Sequence, residues 1–134
     1  MGVFCLMNLN INERLMAISE PRPAGVGQSL QRLFVKDGVR GVCRAEATTH
    51  YGKAVIHIHS LQSIDYGGGR ATLSAIIQLA DELAVPIRLQ ARPYATVLHR
   101  MPKTKDSLVA YYESFGFQPS GDYLIRQPLT RDNY

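Results

Sequence analysis

Apolar residues in this chain recur with two periods, and the change from one to the other marks its elements. From Ala54 to Leu61 the pattern alternates, with Val55, His57 and His59 on one face and Ile56 and Ile58 on the other. That is the period of a strand. From Leu73 onward Ile76, Ile77, Ala80, Leu83 and Ala84 fall at helical spacing, until Pro86 ends the helix and Ile87 to Ala91 begins another strand. Three glycines, Gly67, Gly68 and Gly69, separate the first strand from that helix.

Upstream, Val39 to Thr49 reads as a strand and His50-Tyr51-Gly52-Lys53 as a hairpin turn. The apolar run Val3 to Ile11 predicts a first strand. Asn12 to Ser19 predicts a short helix with Asn12 as its N-cap, and Pro21, Pro23 and Gly25 a loop. Val26, Leu30, Leu33 and Phe34 predict a helix over Val26 to Val35, closed by Asp37-Gly38. Downstream, Arg92 to Thr104 has no periodicity and reads as a long link. Asp106 is the expected N-cap of a helix carrying Leu108, Tyr111, Tyr112 and Phe115, with Gly116 just past its end. A turn at Pro119 to Asp122 and a strand at Tyr123 to Arg126 follow. Strands alternating with helices in this order predict an α/β (α+β) fold, a mixed sheet covered by helices.

The 134 residues suit a single domain spanning 1–134. At 46% apolar and 19% charged the composition is that of a globular protein. No run approaches the roughly 20 apolar residues of a membrane span. The start MGVFCLMNLN lacks the basic region of a signal peptide, and Leu6 breaks the myristoylation pattern. Cys5 and Cys43 lack metal or disulfide spacing and sit in apolar runs, which predicts buried free thiols in a reducing, cytoplasmic setting. The net charge is +4, with Arg88, Arg92, Arg100, Lys103 and Lys105 concentrated in one acid-free segment. Such a segment is a solvated loop or attracts an anionic partner. Nucleic acid is not the expected partner, because Tyr94 is the segment's one stacking residue.

The glycine turn carries the most chemistry. A helix N-terminus offers unpaired amides and partial positive charge, and glycines let an anion approach them. The turn is therefore a phosphate cradle, or simply a tight turn. It does not fit the dinucleotide fingerprint, whose third glycine place holds Thr72, nor the P-loop, since no G-K-[S/T] follows.

Two segments together resemble the GNAT superfamily of N-acetyltransferases. YGGGRATLSAI is similar to its Q/R-x-x-G-x-G/A cofactor turn, with Gly67 and Gly69 in the glycine places. SLVAYYESFGF is similar to its later helix, with Tyr112, Glu113, Gly116 and Phe117 matching. The resemblance covers about Ala54 to Arg126. Ile64 stands in the Q/R place, Lys105 where an Asn is common, and the Arg92 to Lys105 link is longer than usual. Compact proteins of this kind with a long basic link occur in bacteria and their phages.

The resemblance implies a mixed, mostly antiparallel central sheet flanked by helices, and a transferase that moves an acetyl group from acetyl-CoA to a primary amine. It implies that the pyrophosphate rests on Gly67, Gly68, Gly69, Arg70, Ala71 and Thr72, and that the pantetheine arm pairs with Leu61, Gln62 and Ser63. It implies that Tyr112 protonates the leaving thiolate; the alternatives are a core aromatic at Tyr112, with Tyr111 facing the site if the helix is rotated. The base that deprotonates the amine is not readable from the residues: the candidates are His59 first, then Glu46, His57, Asp65 or a water chain, and imidazole as a class exchanges protons near neutral pH. No third ligand accompanies His57-x-His59, so no metal is expected. The acceptor, a small molecule or a protein, is not readable, and similar proteins commonly dimerise. The alternative function is a catalytically inactive, regulatory protein of the same fold acting on a protein partner.

Overall fold

The computed structural model describes residues 3–21, 31–91 and 104–129, with side chains from residue 7 onward. A seven-stranded sheet runs through it, ordered β1-β2-β3-β4-β5-β7-β6. Its strands are β1 (Glu20–Pro21), β2 (Arg32–Lys36), β3 (Val39–His50), β4 (Lys53–Ser63), β5 (Ile87–Leu89), β6 (Gln118–Ser120) and β7 (Tyr123–Arg126). Every neighbouring pair is antiparallel except β4 with β5. The helices are α1 (Val3–Ala17), α2 (Gly68–Leu83) and α3 (Lys105–Glu113). The fold is therefore α+β, with a mixed, mostly antiparallel open sheet. No helix among the described residues is long and apolar enough to cross a membrane.

One apolar cluster holds the helices to the sheet. Ile11 and Leu15 of α1, and Leu73, Ile76, Leu79 and Ala80 of α2, meet Cys43, Ile56, Ile58, Ile87, Leu89 and Leu124. Val109, Tyr112 and Phe115 of α3 pack against the same cluster, beside the fully buried Phe117. Each large buried side chain here contributes about 1.5–3 kcal/mol through loss of contact with water. Cys43 is a buried free thiol, and its burial pushes the thiol pKa up. A second tie is polar. Arg126, 5% exposed, meets Asp81 through Nη1–Oδ1 at 2.7 Å and Nη2–Oδ2 at 3.2 Å, and its Nε donates to the Phe115 carbonyl at 3.0 Å. Burial pushes the Asp81 carboxyl up, but the bonds from Arg126 and the Leu129 amide outweigh it and leave the pKa below its ordinary value.

The N-terminal third differs from expectation. Val3 to Ile11 is helical, not a strand, and continues through the expected short helix as α1. Its run of Leu, Met and Asn never alternates strictly, and Leu and Met favour helix. Ile11 and Leu15, four apart, supply its buried face. Asn12 is inside α1, not at its cap, and its Oδ1 accepts from the Ala47 amide at 2.8 Å. The expected helix over Val26 to Val35 is also corrected: its described part is strand, with residues 32–36 forming β2. Asp37-Gly38 is a two-residue hairpin turn into β3 rather than a helix end, both residues having positive φ, 55° and 79°. The expected Asp106 cap is Thr104, whose Oγ1 accepts from the Ser107 amide at 3.1 Å; Asp106 lies in the first turn. The Tyr51-Gly52 hairpin, the strands from Val39 to Leu61 and the long helix α2 agree with the sequence reading. The Arg92 to Thr104 link lies outside the described residues up to its last position.

Two glycines set how closely α2 approaches the sheet. A Cβ on Gly68 would fall on the Arg40 carbonyl of β3. A Cβ on Gly41 would meet the Gly68 carbonyl oxygen at 2.5 Å as well as the Thr72 hydroxyl. Gly67, by contrast, faces open space at φ 79°. We therefore expect Gly68→Ala to destabilise by more than about 3 kcal/mol, because backbone must move. Gly67→Ala should cost only about 1 kcal/mol, the strain of a positive φ. Urea denaturation of the two variants measures the difference.

Candidate functional site

The parallel contact between β4 and β5 is short. It runs only over Ile56–Ile58 against Ile87–Leu89. β4 continues to Ser63, paired to β3 but not to β5, so among the described residues its β5-facing edge from His59 to Ser63 is left without a ladder. The register of β4 on β3 also shifts at this point: Ala45 faces Ile58 and Arg44 faces Ser60, which leaves His59 as the extra residue of a β-bulge. Bulges re-aim side chains, and an unpaired edge is a template for another chain's amides. His59 is thus both the bulged residue and the first residue past the parallel ladder.

At the end of that edge the glycine turn is sewn to Arg40. The Ile64 and Asp65 amides donate to the Arg40 carbonyl, each at 3.0 Å. Asp65 Oδ2 accepts from the Arg40 amide at 3.0 Å and Nε at 2.9 Å, and Oδ1 accepts from Nη2 at 2.9 Å. The Arg40 side-chain bonds hold the Asp65 carboxyl below its ordinary pKa. Asp65 is committed to the turn through its bonds to Arg40. The Gly68 amide donates to the Asp65 carbonyl at 2.9 Å, and the Gly69 amide to Ser63 Oγ at 2.6 Å. An anion at this helix start therefore meets Ser63, whose hydroxyl accepts from Gly69 and keeps its own proton to donate. Leu61 packs against the core, and Gly68 and Thr72 are buried, so these can offer a ligand backbone only. Gln62, Ser63 and Arg70 are exposed, and Gly67, Gly69 and Ala71 are partly so.

The two tyrosines of α3 face different neighbours. The Arg70 guanidinium carbon lies 5.7 Å from the Tyr111 ring centre and 5.5 Å from that of Phe115. Cation–π contact holds Arg70 between α2 and α3. Tyr112 packs edge-on against Phe117 at 5.7 Å. Tyr111 is thus the phenol joined through Arg70 to the glycine turn, while Tyr112 lies against the core.

The opposite face of the sheet carries a polar row. Glu46, His57, Arg88 and Ile125 are successive register partners across β3, β4, β5 and β7. His59 Nε2 lies 2.7 Å from Glu46 Oε1, and the His59 ring contacts that of His57 at 4.4 Å. Arg88 Nε donates to His57 Nδ1 at 2.9 Å, its Nη1 lies 3.0 Å from His50 Nδ1, and the guanidinium sits 4.6 Å over the Tyr123 ring. Arginine only donates, so both imidazoles accept at Nδ1 and, when neutral, carry their proton on Nε2. Burial, then His59 and Arg88, push the His57 pKa down to about 4. His57 is therefore neutral at physiological pH. A carboxylate only accepts, so His59 donates from Nε2 to Glu46 and keeps its Nδ1 lone pair. Glu46 and His59 make a dyad that can take a proton.

Of the residues predicted from sequence, the geometry joins His59 to Glu46 and sets Leu61–Ser63 beside the glycine turn. His50, Arg88 as a site residue, and Tyr123 were missed. Each lies on a different strand, and only the register brings them together. Among the described residues no cluster of His, Cys, Asp and Glu could hold a metal ion. No protein-family model matches the chain, and no curated protein matches its sequence.

Because the folded-state pKa of His57 lies below its unfolded value of 6.5, the unfolded chain binds the extra proton between about pH 6.5 and 4. Stability is complete above that window and falls as pH drops through it. We expect a loss of about 1–2 kcal/mol from this group, allowing for its partial exposure. Urea titrations at pH 7.5 and 4.5 should show a smaller drop in His57→Gln than in the wild type.

Proposed function

We propose that the chain is an acetyl-CoA-dependent N-acetyltransferase with a GNAT-like fold. The observation that carries this reading is the position of His59: bonded to Glu46, bulged, and set where β4 and β5 part. The open edge from His59 to Ser63 suits the amides of a pantetheine arm, in the way an added strand pairs with a sheet edge. The start of α2, with Gly67 open and Ser63 Oγ beside the Gly69 amide, suits a pyrophosphate.

Acetyl-CoA brings a thioester whose carbonyl a neutral amine attacks directly. The chain's task is to orient and to move protons. His59 Nδ1, directly or through a water, takes the proton the amine sheds, and Glu46 stabilises the imidazolium that results. A phenol of α3 gives a proton to the departing thiolate. The contact with Arg70 favours Tyr111 for that role over the Tyr112 of the family resemblance. The new C–N bond replaces the C–S bond, and the protons on His59 and the phenol re-equilibrate through solvent.

The alternative is a binding or regulatory protein of the same fold without catalysis. The internal use of the Gly68 and Gly69 amides, with Ile64 in the Q/R place, favours it. Calorimetry separates binding from turnover. Acetyl-CoA should bind, and Gly69→Glu should abolish binding by placing a carboxylate at the helix start; no heat and no thermal shift at millimolar acetyl-CoA would remove both readings. His59→Ala should lower turnover by about 10²-fold or more at unchanged cofactor affinity, and Glu46→Gln by less. Tyr111→Phe and Tyr112→Phe, assayed together, assign the acid: the variant that loses kcat identifies it.

A further inference from the structure

Three of the arginines among the described residues are matched to carboxylates: Arg14 to Glu82, Arg40 to Asp65 and Arg126 to Asp81. Arg88 is not. It is part-buried, covered on one side by Tyr123, and bonded to two neutral acceptors, His57 and His50. Two of its five N–H groups are used there, and among the described residues no carboxylate lies within ion-pair distance. Holding a guanidinium away from water without a counter-ion is costly, and two neutral imidazoles supply no negative charge. A lattice of strands and side-chain bonds fixes it in that position all the same.

We propose that Arg88, with His50 and His57, is the subsite for a carboxylate on the acceptor, and that the acceptor is a free amino acid. The proposal rests on the acetyl-transfer reading for the fate of the amine, but not for the anion subsite itself. Glu46 and Arg88 occupy one row of the sheet with His57 between them. Arg88 Nε lies 2.9 Å from His57 Nδ1, and the His57 and His59 rings are 4.4 Å apart between the guanidinium and Glu46. An α-amino acid fits that interval, with a hydrogen bond of about 3 Å at each end. The polarity is also right. The negative end of the row, Glu46 with His59, attracts the amino group and receives its proton, while the positive end holds the carboxylate. A guanidinium can grip a carboxylate with two parallel N–H bonds, which a polyamine or a polypeptide N-terminus cannot satisfy. Both imidazoles accept from Arg88 at Nδ1 and so fix the guanidinium that grips the anion.

The test uses pairs that differ only in the α-carboxylate: lysine with cadaverine, phenylalanine with phenethylamine, and glutamate with 4-aminobutyrate. Binding of each to the full chain, with and without CoA, is measured by calorimetry, alongside acetyl-CoA affinity. For at least one pair the amino acid should bind 10-fold or more tighter than the amine. Arg88→Gln should erase the difference with acetyl-CoA affinity unchanged, and Arg88→Lys should retain part of it. If no amino acid outbinds its amine, or if the preference survives in Arg88→Gln, the subsite is refuted. If either variant unfolds, the wild-type preference and its loss on raising salt or adding free acetate still decide. Acetyl-CoA binding with no carboxylate preference overturns this proposal alone. Carboxylate preference without acetyl-CoA binding leaves the subsite standing and overturns the acetyl-transfer reading.

Discussion

Three rungs of parallel ladder, Ile56–Ile58 against Ile87–Leu89, hold the two halves of the sheet together. On one side lies the long β3–β4 hairpin; on the other lie β5, β7 and β6. Because the ladder is so short, β4 outruns β5, and among the described residues its backbone edge beside the following helix is open. Sheet edges of this kind are usually blunted, since their unpaired amides invite another chain. Here the edge is left open between a bulge at one end and a helix N-terminus at the other. The buried faces of α2 and the Arg126–Asp81 pair fix the helix and the C-terminal hairpin around that gap. The ladder can therefore be short without the sheet coming apart.

The charges are divided between two tasks. Arg40 and Arg126 are each spent on a carboxylate that anchors a turn or a helix end, and both bonds are geometrically bidentate. The row across the other face is built differently. Its acid, Glu46, is paired to an imidazole that can exchange a proton, and its base, Arg88, to imidazoles held neutral. One face of the sheet thus carries the apolar cluster and the buried Arg126–Asp81 pair, and the other the polarised row of Glu46, His59, His57 and Arg88.

Much of the central fold was legible because its signals are local. The alternation through Ala54–Leu61, the Tyr51-Gly52 turn, the glycine run and the stripe from Leu73 to Ala80 each report on neighbours in sequence. The errors arose where local signals are ambiguous. An apolar run such as Val3–Ile11 fits a buried strand or a helix, and tertiary packing of Ile11 and Leu15 decides for helix. Asp37-Gly38 serves equally to stop a helix or to turn a hairpin. In the candidate site, His59, Glu46 and the glycine turn could be named from sequence. The Glu46–His59 bond depends on a bulge in the β3–β4 register, and the Arg88 cluster on four strands meeting. Neither has a counterpart in residue spacing. The rotation of α3, which sets Tyr111 toward Arg70 and Tyr112 against Phe117, is fixed by contacts between elements far apart in sequence.

The facing pair Gly41 and Gly68 has a genetic implication. Each lies on a different segment, and each would push its missing side chain against the other segment's main chain. Trimming a neighbour cannot relieve such a collision, because main-chain atoms cannot be made smaller; even removing the Thr72 hydroxyl leaves the Gly68 carbonyl in the way. A lesion at either position should therefore lack intragenic suppressors at the contact itself, and the strand and helix are bound to change together or not at all.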